Sequence, residues 1–219
     1  MDRLDFIASL TKGLDTIVDV GCDHAYTLIN AITKYGVNKG YGLDVVDGPI
    51  EAAKRNVSDA SLEDKIEIIK SNGFMQFDKP VDGIVISGMG GMNIVDILSY
   101  DIDYVKNCKK IILSAHNDTP KLRFFLINNM FSIDDEFMIE DNKHIYEILV
   151  VSNKKLSRKY DYFDMIFGPV LREKKPELFI KKYSEALEKT KNALKMAKDP
   201  IAISKLKMEK AMYEEILKW

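Results

Sequence analysis

The chain has 219 residues, of which 46% are hydrophobic and 30% are charged, and its formal net charge is −2. These totals predict a globular domain with room for an appended segment, and they exclude a uniformly basic protein. No apolar stretch approaches the roughly 18 residues that cross a bilayer, and residues 1–5 lack the features of a signal peptide. We therefore expect a cytoplasmic protein with no membrane contact.

The charge is distributed unevenly along the chain. Residues 174–219 contain 12 Lys against 6 Glu and 1 Asp, a balance of about +5. The preceding residues therefore carry about −7. This asymmetry indicates an anionic partner for the carboxyl-terminal segment. The two cysteines, Cys22 and Cys108, have no metal-ligand spacing and are expected to be reduced thiols.

Apolar periodicity and turn residues predict an alternation of strands and helices up to residue 152. Strands are predicted over 16–20, 39–44, 65–70, 82–87, 110–114, 131–140 and 144–151. Helices are predicted over 2–12, 25–35, 47–57, 92–98 and 119–129. Five strands alternating with helices, followed by a hairpin, are typical of a mostly parallel α/β sheet with an antiparallel edge. Right-handed crossovers place helices on both faces.

The character of the chain changes after Ser152. A basic, polar stretch contains Lys154, Lys155, Arg158 and Lys159, and two helical patterns then run from residue 176 to the end. Asp199-Pro200 is typical of a helix start, so the two helices are predicted to form an antiparallel hairpin. The predicted organisation is a domain over 1–152, a basic linker over 153–175 and a helical hairpin over 176–219.

The first predicted strand ends in Asp19-Val20-Gly21-Cys22-Asp23-His24, where a parallel sheet binds its ligands. Gly21 permits a tight turn, and Asp19 at the strand end is suited to a ligand's ammonium group. Asp23 and His24 stand where a dinucleotide fold would have its second glycine. A carboxylate there disfavours a pyrophosphate and favours a cationic cofactor, although an ordinary strand–helix turn remains an alternative.

Polar residues also follow the other strands. Asp44 ends the second strand, where a carboxylate accepts hydrogen bonds from ribose hydroxyls. Asn72 after the third strand is suited to the edge of an adenine, and Gly73 leaves room for it. These positions predict a nucleoside site, with a solvated strand-end acid and a plain turn as the alternatives.

The fourth strand runs into Gly88-Met89-Gly90-Gly91, and glycine at this density indicates close approach of the backbone to another group. This strand is predicted to lie beside the first, so that both turns face one crevice. His116 and Asn117, after the fifth strand, are candidates for contact with a substrate base. No nucleophile–base triad and no metal cluster is legible in the sequence, which suits methyl transfer from a sulfonium by positioning alone.

Five segments resemble, in order and spacing, the bacterial TrmK family. They are Asp19-Val-Gly-Cys-Asp-His-Ala-Tyr26, Asp44-Val-Val-Asp-Gly-Pro49, Ser87-Gly-Met-Gly-Gly91, Tyr146-Glu-Ile-Leu-Val150 and Phe167-Gly-Pro169. The resemblance implies a class I methyltransferase, with a Rossmann-like seven-stranded sheet of order 3-2-1-4-5-7-6. It further implies transfer of a methyl group from S-adenosyl-L-methionine to N1 of adenine 22 in the D-arm of tRNA.

The resemblance also implies roles for individual residues. The cofactor would contact residues of four turns, namely Asp19, Gly21, Asp23, His24, Asp44, Asn72, Gly73, Gly88, Met89 and Gly90. The resemblance places Gly88, Met89 and Gly90 at the reacting centre. From their positions in the turns, Asp23, Met89 and His116 are the candidate catalytic residues, with no metal. Two positions depart from the family pattern: Asn72 replaces a common Asp, and Ser114-Ala115-His116 replaces Gln-Pro-Asn.

The predicted RNA contact is to the tRNA D-arm and elbow, through the basic linker and the carboxyl-terminal helices of a monomer. Three alternatives remain open: a methyltransferase for another RNA, one for a small molecule, and a non-catalytic RNA-binding protein with a retained cofactor fold. A nicotinamide dehydrogenase is disfavoured by the missing glycines at Asp23 and His24.

Overall fold

A computed structural model describes residues 2–154 and 159–218. The strands are β1 (Thr16–Val20), β2 (Lys39–Asp44), β3 (Ile66–Lys70), β4 (Gly83–Met89), β5 (Lys110–Ala115), β6 (Ser132–Asp141) and β7 (His144–Ser152). The helices are α1 (Arg3–Ser9), α2 (Tyr26–Tyr35), α3 (Asp47–Asp59), α4 (Gly91–Tyr100), α5 (Ile102–Asn107), α6 (Thr119–Asn128), α7 (Tyr162–Phe167), α8 (Pro169–Lys174), α9 (Glu177–Met196) and α10 (Pro200–Leu217).

The strands form a seven-stranded sheet in the order β3-β2-β1-β4-β5-β7-β6. The first five strands are parallel, and β7 and β6 pair antiparallel at one edge. The predicted fold class and strand order are therefore confirmed. Because β1 pairs with both β2 and β4, the turns that follow these three strands open at the same edge of the sheet.

Burial explains why the central strands are apolar throughout. Ile17, Val18 and Val20 of β1 are almost completely buried, as are Ile84, Val85 and Ile86 of β4. A strand with neighbours on both sides and helices on both faces leaves no position for a polar side chain. Asp19 is the exception in β1, since it carries an ionisable carboxyl and is only 3% exposed. Such an exception near a strand end is consistent with the prediction that Asp19 is a site residue.

Helix α1 is fixed to the rest of the sheet domain at several points. The Asp2 carboxylate accepts a hydrogen bond from the Asp5 amide and caps the helix. Asp5 in turn accepts hydrogen bonds from Lys34 Nζ (3.0 Å) and the Tyr35 hydroxyl (3.1 Å) of α2. Ile7 and Ala8 are fully buried. The first turn of α1 is therefore held in a defined position.

A buried group of charges joins α6 to the edge hairpin. Arg123 Nε donates to Glu136 Oε1 (2.7 Å), and Arg123 Nη2 donates to Glu147 Oε2 (2.6 Å). The other oxygen of Glu136 accepts from the amide of Val170 (2.8 Å). A side chain at Gly168 would lie 2.7 Å from both Arg123 and Glu136, and the φ of this glycine is +88°. The Phe167-Gly168-Pro169 segment therefore depends on glycine for its close approach to the charged group.

The chain divides into two compact units between Val170 and Leu171. In the second unit, α9 and α10 pack against each other as the predicted antiparallel hairpin, with Phe179, Tyr183 and Ile216 buried. The carboxylate of Asp199 accepts from the Ala202 amide (2.8 Å), which confirms the predicted start of α10.

Three short helices, α5, α7 and α8, were not predicted from the sequence. Helices α7 and α8 fall in the stretch predicted as a basic linker, and α7 is held by a capping box between Asp161 and Asp164. The domain boundaries at 152 and 175 stay predictions. Lys155 and Arg158 of that linker lie outside the described residues. None of the helices within the described ranges is long and apolar enough to cross a membrane.

Candidate active site

The turn after β1 is held by the end of β2. The amides of Gly21 and Cys22 both donate to the carbonyl of Leu43 (2.7 and 3.0 Å). The amide of Asp23 donates to Asp44 Oδ2 (3.2 Å). Gly21 has a φ of +75°, and Asp23 also has a positive φ of 46°. These bonds fix the loop so that its side chains face the edge of the sheet where β1, β2 and β4 end.

A cavity of about 450 Å³ lies over this turn. The lining comes from α1, from β1 and the turn after it, from the first turn of α2, and from the ends of β2, β4 and β5. The residues are Arg3, Leu4, Asp19, Gly21, Cys22, Asp23, His24, Tyr26, Thr27, Asp44, Ser87, Gly88, Met89 and His116. We call it the first cavity. Its volume and its carboxylates suit a small polar ligand with positive charge.

A second cavity, of about 470 Å³, lies over the ends of β2 and β3. It is lined by Val20, Gly21, Asp44, Val45, Ser71, Asn72, Gly73, Met89, Asn93, Asp96 and Ile97. Gly21, Asp44 and Met89 line both cavities, so the two are adjoining compartments of one cleft. We call this the second cavity.

Asp19 is the most perturbed acid of the cleft. Burial and, to a smaller extent, the charge of Asp44 raise the pKa of the Asp19 carboxyl to about 7. The carboxylate form of Asp19 therefore lacks compensation in the protein itself. A cationic ligand in the first cavity would supply that compensation. Burial also raises the pKa of the Cys22 thiol, so this cysteine is not a nucleophile at neutral pH.

The end of β4 carries a bulge that places Met89 over the cleft. Its register with β5 shifts between Ser87 and Met89, and Gly88 between them has a φ of +82°. The carbonyl of Met89 accepts a hydrogen bond from the amide of His116 (2.8 Å), which joins the ends of β4 and β5. The predicted catalytic residues Met89 and His116 are therefore neighbours.

The structure brings nearly all of the predicted site residues into this cleft. The first cavity receives Asp19, Gly21, Asp23, His24, Asp44, Gly88, Met89 and His116, and the second cavity adds Asn72 and Gly73. Gly90 lines neither cavity. A side chain at Gly90 would lie 3.0 Å from Asn117 Oδ1, so the residue packs against the β5 turn instead. The functional roles assigned to these residues stay predictions.

Sequence reasoning missed several residues of the lining. Arg3 and Tyr26 in the first cavity, and Asn93 and Asp96 in the second, were not among the candidates. Asn93 and Asp96 are three positions apart on α4, so they lie on the same face of the helix. Two polar residues on one face, directly after a glycine-rich turn, could have been recognised from the sequence as candidate site residues. No local signal marks Arg3, because only the folded chain brings α1 to the cleft.

Two aromatic contacts flank the first cavity. The rings of His24 and Tyr26 are stacked, with centroids 5.8 Å apart and an interplanar angle of 23°, and Tyr26 is 50% exposed. The ring of His116 meets Tyr146 of β7 edge-on at 5.6 Å. Across the described ranges, no three His, Cys, Asp or Glu side chains are grouped to hold a metal ion. The cleft therefore offers carboxylates, imidazoles and aromatic faces.

Comparisons with known proteins find relatives and solved structures that are similar to this chain over nearly its whole length. The tRNA (adenine(22)-N(1))-methyltransferase of Bacillus subtilis is 28% identical over 195 residues, which cover 87% of this chain and 82% of that protein. A Streptococcus pneumoniae protein, described as a candidate tRNA (m1A22) methyltransferase, is 30% identical, with a TM-score of 0.93 over 100% of this chain and 99% of that one. It has also been solved in complex with S-adenosyl-L-methionine, and that structure is 31% identical, with a TM-score of 0.89 over 100% of both chains.

The chain also matches a model of the sequence pattern of a whole protein family. A family model described as TrmK, tRNA (adenine(22)-N(1))-methyltransferase, matches residues 17–218, which span the sheet, the cleft and the helical hairpin. With the strand order and the cleft residues described above, this match leaves one assignment: the chain belongs to the TrmK family of tRNA (adenine(22)-N(1))-methyltransferases.

Proposed function

We propose that this TrmK-family protein binds S-adenosyl-L-methionine across the two cavities and transfers its methyl group to N1 of adenine 22 in the D-arm of tRNA. The observation that carries the proposal is the cleft itself. Its two compartments meet at Gly21, Asp44 and Met89, at the carboxyl edge of a seven-stranded sheet. Ligands of open α/β sheets bind at this edge.

The residues of the cleft fit the cofactor from one end to the other. Asn72 and Gly73 in the second cavity offer an amide and an open backbone to an adenine. Asp44, shared by both cavities, offers carboxylate oxygens to ribose hydroxyls. Asp19 in the first cavity offers its buried carboxyl to an ammonium group. This donor set suits a nucleoside joined to an amino acid.

The chemistry needs positioning more than proton transfer. S-adenosylmethionine supplies an electrophilic methyl carbon, whose bond to sulfur breaks as the bond to adenine N1 forms. Adenine N1 has its own lone pair, so no general base is required before attack. The protein's part is to place the base in line and to stabilise the positive charge that the base gains. Asp23, which lines the first cavity with 65% of its side chain exposed, is suited to the second task.

Tyr26 and His24 are suited to hold the target base. N1 of adenine lies on the pairing edge, so the nucleotide must leave its stack before it can react. Aromatic faces bind unstacked bases, and Tyr26 presents a half-exposed ring, stacked on His24, at the first cavity. We assign the rim at Tyr26 to the adenine, and the adjoining Met89 and His116 to the reacting centre.

The carboxyl-terminal hairpin supplies charges for the tRNA backbone. Lys189, Lys198, Lys205 and Lys207 are exposed and form no ion pair with any residue that the structure describes. In contrast, Lys191, Lys210 and Lys218 each lie within 3.4 Å of a glutamate. The unpaired lysines are the candidates for phosphate contacts to the D-arm and elbow. The proposal has the protein acting as a monomer in the cytoplasm.

A methyl-transfer assay with defined RNAs tests this proposal. The protein is incubated with methyl-labelled S-adenosylmethionine and an unmodified tRNA transcript that has adenine at position 22, and the labelled nucleoside is mapped. We expect 1-methyladenosine at position 22 and no label in a transcript with guanine there. Label at another nucleotide, or in ribosomal RNA but not in tRNA, would overturn the proposal. Label in neither RNA would favour a small-molecule substrate or a non-catalytic protein.

A further inference from the structure

The hairpin of β6 and β7 extends beyond its neighbour in the sheet. Strand β7 pairs with β5 over residues 149–151, whereas its pairing with β6 continues along its whole length, from Ser152 to His144. Because β5 and β7 run antiparallel, the first residues of β7 lie beyond the end of β5, at the edge of the sheet where the cleft opens. We call residues 139–146 the hairpin arm.

Two rings on the hairpin arm continue outward from His116. Tyr146 and His144 are two positions apart in β7, so their side chains lie on the same face of the arm. The Tyr146 ring meets His116 edge-on, with centroids 5.6 Å apart, and meets His144 edge-on, with centroids 6.5 Å apart. His116 lines the first cavity. We call these three residues the aromatic row, which leads from the first cavity to the tip of the arm.

The aromatic row is held from one side and open to solvent at both ends. The guanidinium carbon of Arg3 lies 4.5 Å from the centre of the Tyr146 ring, and this contact holds the ring against α1. At the two ends of the row, His116 and His144 are exposed. Exposed rings whose positions are already fixed by neighbours lose little conformational entropy when they bind a partner. The row is therefore suited to bind a flat group from outside.

The proposed cofactor site does not account for the outer part of the row. Neither Tyr146 nor His144 is among the described residues that line the two cavities, so a ligand inside the cleft reaches His116 and not the rings beyond it. A partner of the outer rings must lie next to the group that occupies the first cavity. Because the target adenine is assigned to that cavity, the next group along the substrate is a neighbouring nucleotide.

We propose that the aromatic row stacks on the base of a nucleotide adjacent to the target adenine, an inference that rests on the proposed function. When the adenine leaves its stack, its neighbours lose a stacking partner. The rings of the row replace that partner, since stacking on an aromatic ring accepts any base. A phosphate is the other RNA group that could lie at His144. It is disfavoured because Glu140 and Asp141 are on the same arm.

Filter binding of tRNA in the presence of S-adenosylhomocysteine tests the proposal. We expect His144→Ala to raise the Kd for tRNA about five- to tenfold, because it removes the exposed ring at the tip of the row. His144→Phe should bind tRNA within about twofold of wild type, since it keeps a ring without a charge. Neither variant should change the affinity for S-adenosylhomocysteine, because His144 lies outside both cavities.

Two tRNA transcripts, each lacking the base on one side of the target adenine, identify the stacked nucleotide. For one of them, the wild type should bind as weakly as His144→Ala binds intact tRNA, and His144→Ala should cause no further loss. Losses that add for both transcripts would overturn the proposal, and so would unchanged binding of intact tRNA by His144→Ala.

Lys143→Gln is the matched control, because Lys143 is the exposed neighbour of His144 in the same turn and has a charge but no ring. It should change the Kd for tRNA by less than about twofold. Equal weakening by Lys143→Gln, His144→Ala and His144→Phe would assign the arm to a phosphate and overturn the proposal. If the wild type transfers no methyl group to intact tRNA, the proposed function itself fails, and this result is distinct from a failure of the aromatic row alone.

Discussion

The terminal methyl group of Met89 occupies the space that a side chain at Gly21 would need. A Cβ atom at Gly21 would lie 2.1 Å from Met89 Cε. The turn after β1 and the bulge at the end of β4 are thus packed together at the junction of the two cavities. The absence of a side chain at Gly21 is what allows Met89 to reach this position.

Gly21→Ala should therefore damage the cleft and not only the backbone. We expect a loss of about 1–3 kcal/mol in unfolding free energy, from the positive φ and from displacement of Met89, together with weaker binding of S-adenosylhomocysteine. Urea denaturation and calorimetry measure the two effects. Gly36→Ala is the control, because Gly36 has a similar φ of +80° and no atom within 4 Å of its Cβ position. Gly36→Ala should lose stability but keep its affinity for S-adenosylhomocysteine. Equal ligand affinity in Gly21→Ala and Gly36→Ala would contradict the prediction.

The raised pKa of Asp19 predicts that stability and cofactor binding depend on pH in opposite directions. The carboxyl has a pKa of about 7 in the folded protein, against an ordinary value of 3.8 for an aspartate. The folded state therefore binds the proton more tightly, so this contribution to stability is fully present below about pH 4 and is lost as the pH rises through about 7. The Tm of the wild type minus the Tm of Asp19→Asn should therefore decrease as the pH rises from about 4 to about 7.

A cationic ligand reverses this dependence, because it favours the carboxylate. The affinity for S-adenosylhomocysteine should rise up to about tenfold per pH unit below about pH 7 and then level off. Asp44→Asn should move the midpoint of both curves to lower pH, since the charge of Asp44 contributes to the raised pKa. Affinity that is independent of pH between 5 and 8 would show that Asp19 does not face the ammonium group.

Tyr26→Ala should impair recognition of tRNA and spare the cofactor. Stacking of a base on an aromatic ring contributes about 1–3 kcal/mol, so we expect KM for tRNA to rise roughly tenfold with little change in the affinity for S-adenosylhomocysteine. Tyr26→Phe should behave like wild type, because it keeps the ring. Tyr100 is similarly exposed and lines neither cavity, so Tyr100→Ala serves as the control. A loss of cofactor affinity alone would assign Tyr26 to the cofactor.

Removing Arg123 should destabilise the sheet domain severely. Burial by itself disfavours the charged guanidinium, but Glu147 and Glu136 outweigh this effect and raise the pKa of Arg123. Arg123→Met removes the buried cation that Glu136 and Glu147 share, which should lower the free energy of unfolding measured by urea denaturation by about 3–5 kcal/mol. Adding Glu136→Gln and Glu147→Gln should recover part of this loss, whereas Arg55→Met should have no effect, because Arg55 is exposed on α3. Additive losses would show that the three residues do not act as one group.

The unpaired lysines of the hairpin should determine how tRNA binding depends on salt. We expect the triple replacement of Lys189, Lys205 and Lys207 by Gln to weaken tRNA binding and to lower the salt slope by about two to three. The control triple at Lys191, Lys210 and Lys218 removes the same number of charges from lysines that already pair with glutamates. Filter binding over a salt series measures both. If the two triple variants show equal salt dependence of tRNA binding, only the net charge of the hairpin affects binding, which would contradict the prediction.

The sequence predicted the sheet well because its signals are local. The bounds predicted for β1 and β2 coincide with the observed Thr16–Val20 and Lys39–Asp44. Strand β1 is a compact apolar run between turns, which is typical of a buried parallel strand. The short Asp141-Asn142-Lys143 connection also predicted the β6–β7 hairpin correctly. Its two turn residues, Asn142 and Lys143, both have positive φ. Helix α7 carried a signal that was not used, namely the Asp161–Asp164 capping box.

The features of the fold and cleft that could not be predicted depend on contacts between residues that are far apart in the sequence. Arg3 reaches the first cavity and the ring of Tyr146 only because the chain folds back over more than a hundred residues. Arg123 has an ordinary helical context, and nothing local indicates that it is buried with Glu136 and Glu147. Charges that pair across elements are invisible to periodicity, and here the Arg123 ion pairs connect α6 to the edge hairpin.

The position of α1 has a practical consequence for the choice of residue bounds when proteins of this family are truncated or aligned. A chain shortened to residues 17–218 would keep the seven strands except for Thr16 of β1, and it would still contain all the residues that the family model matches. It would lose the wall of the first cavity that carries Arg3 and Leu4, and Asp5 would no longer hold Lys34 and Tyr35. Such a chain would keep the strand order of the family, but the first cavity would be open on one side and the core around Ile7 would be exposed.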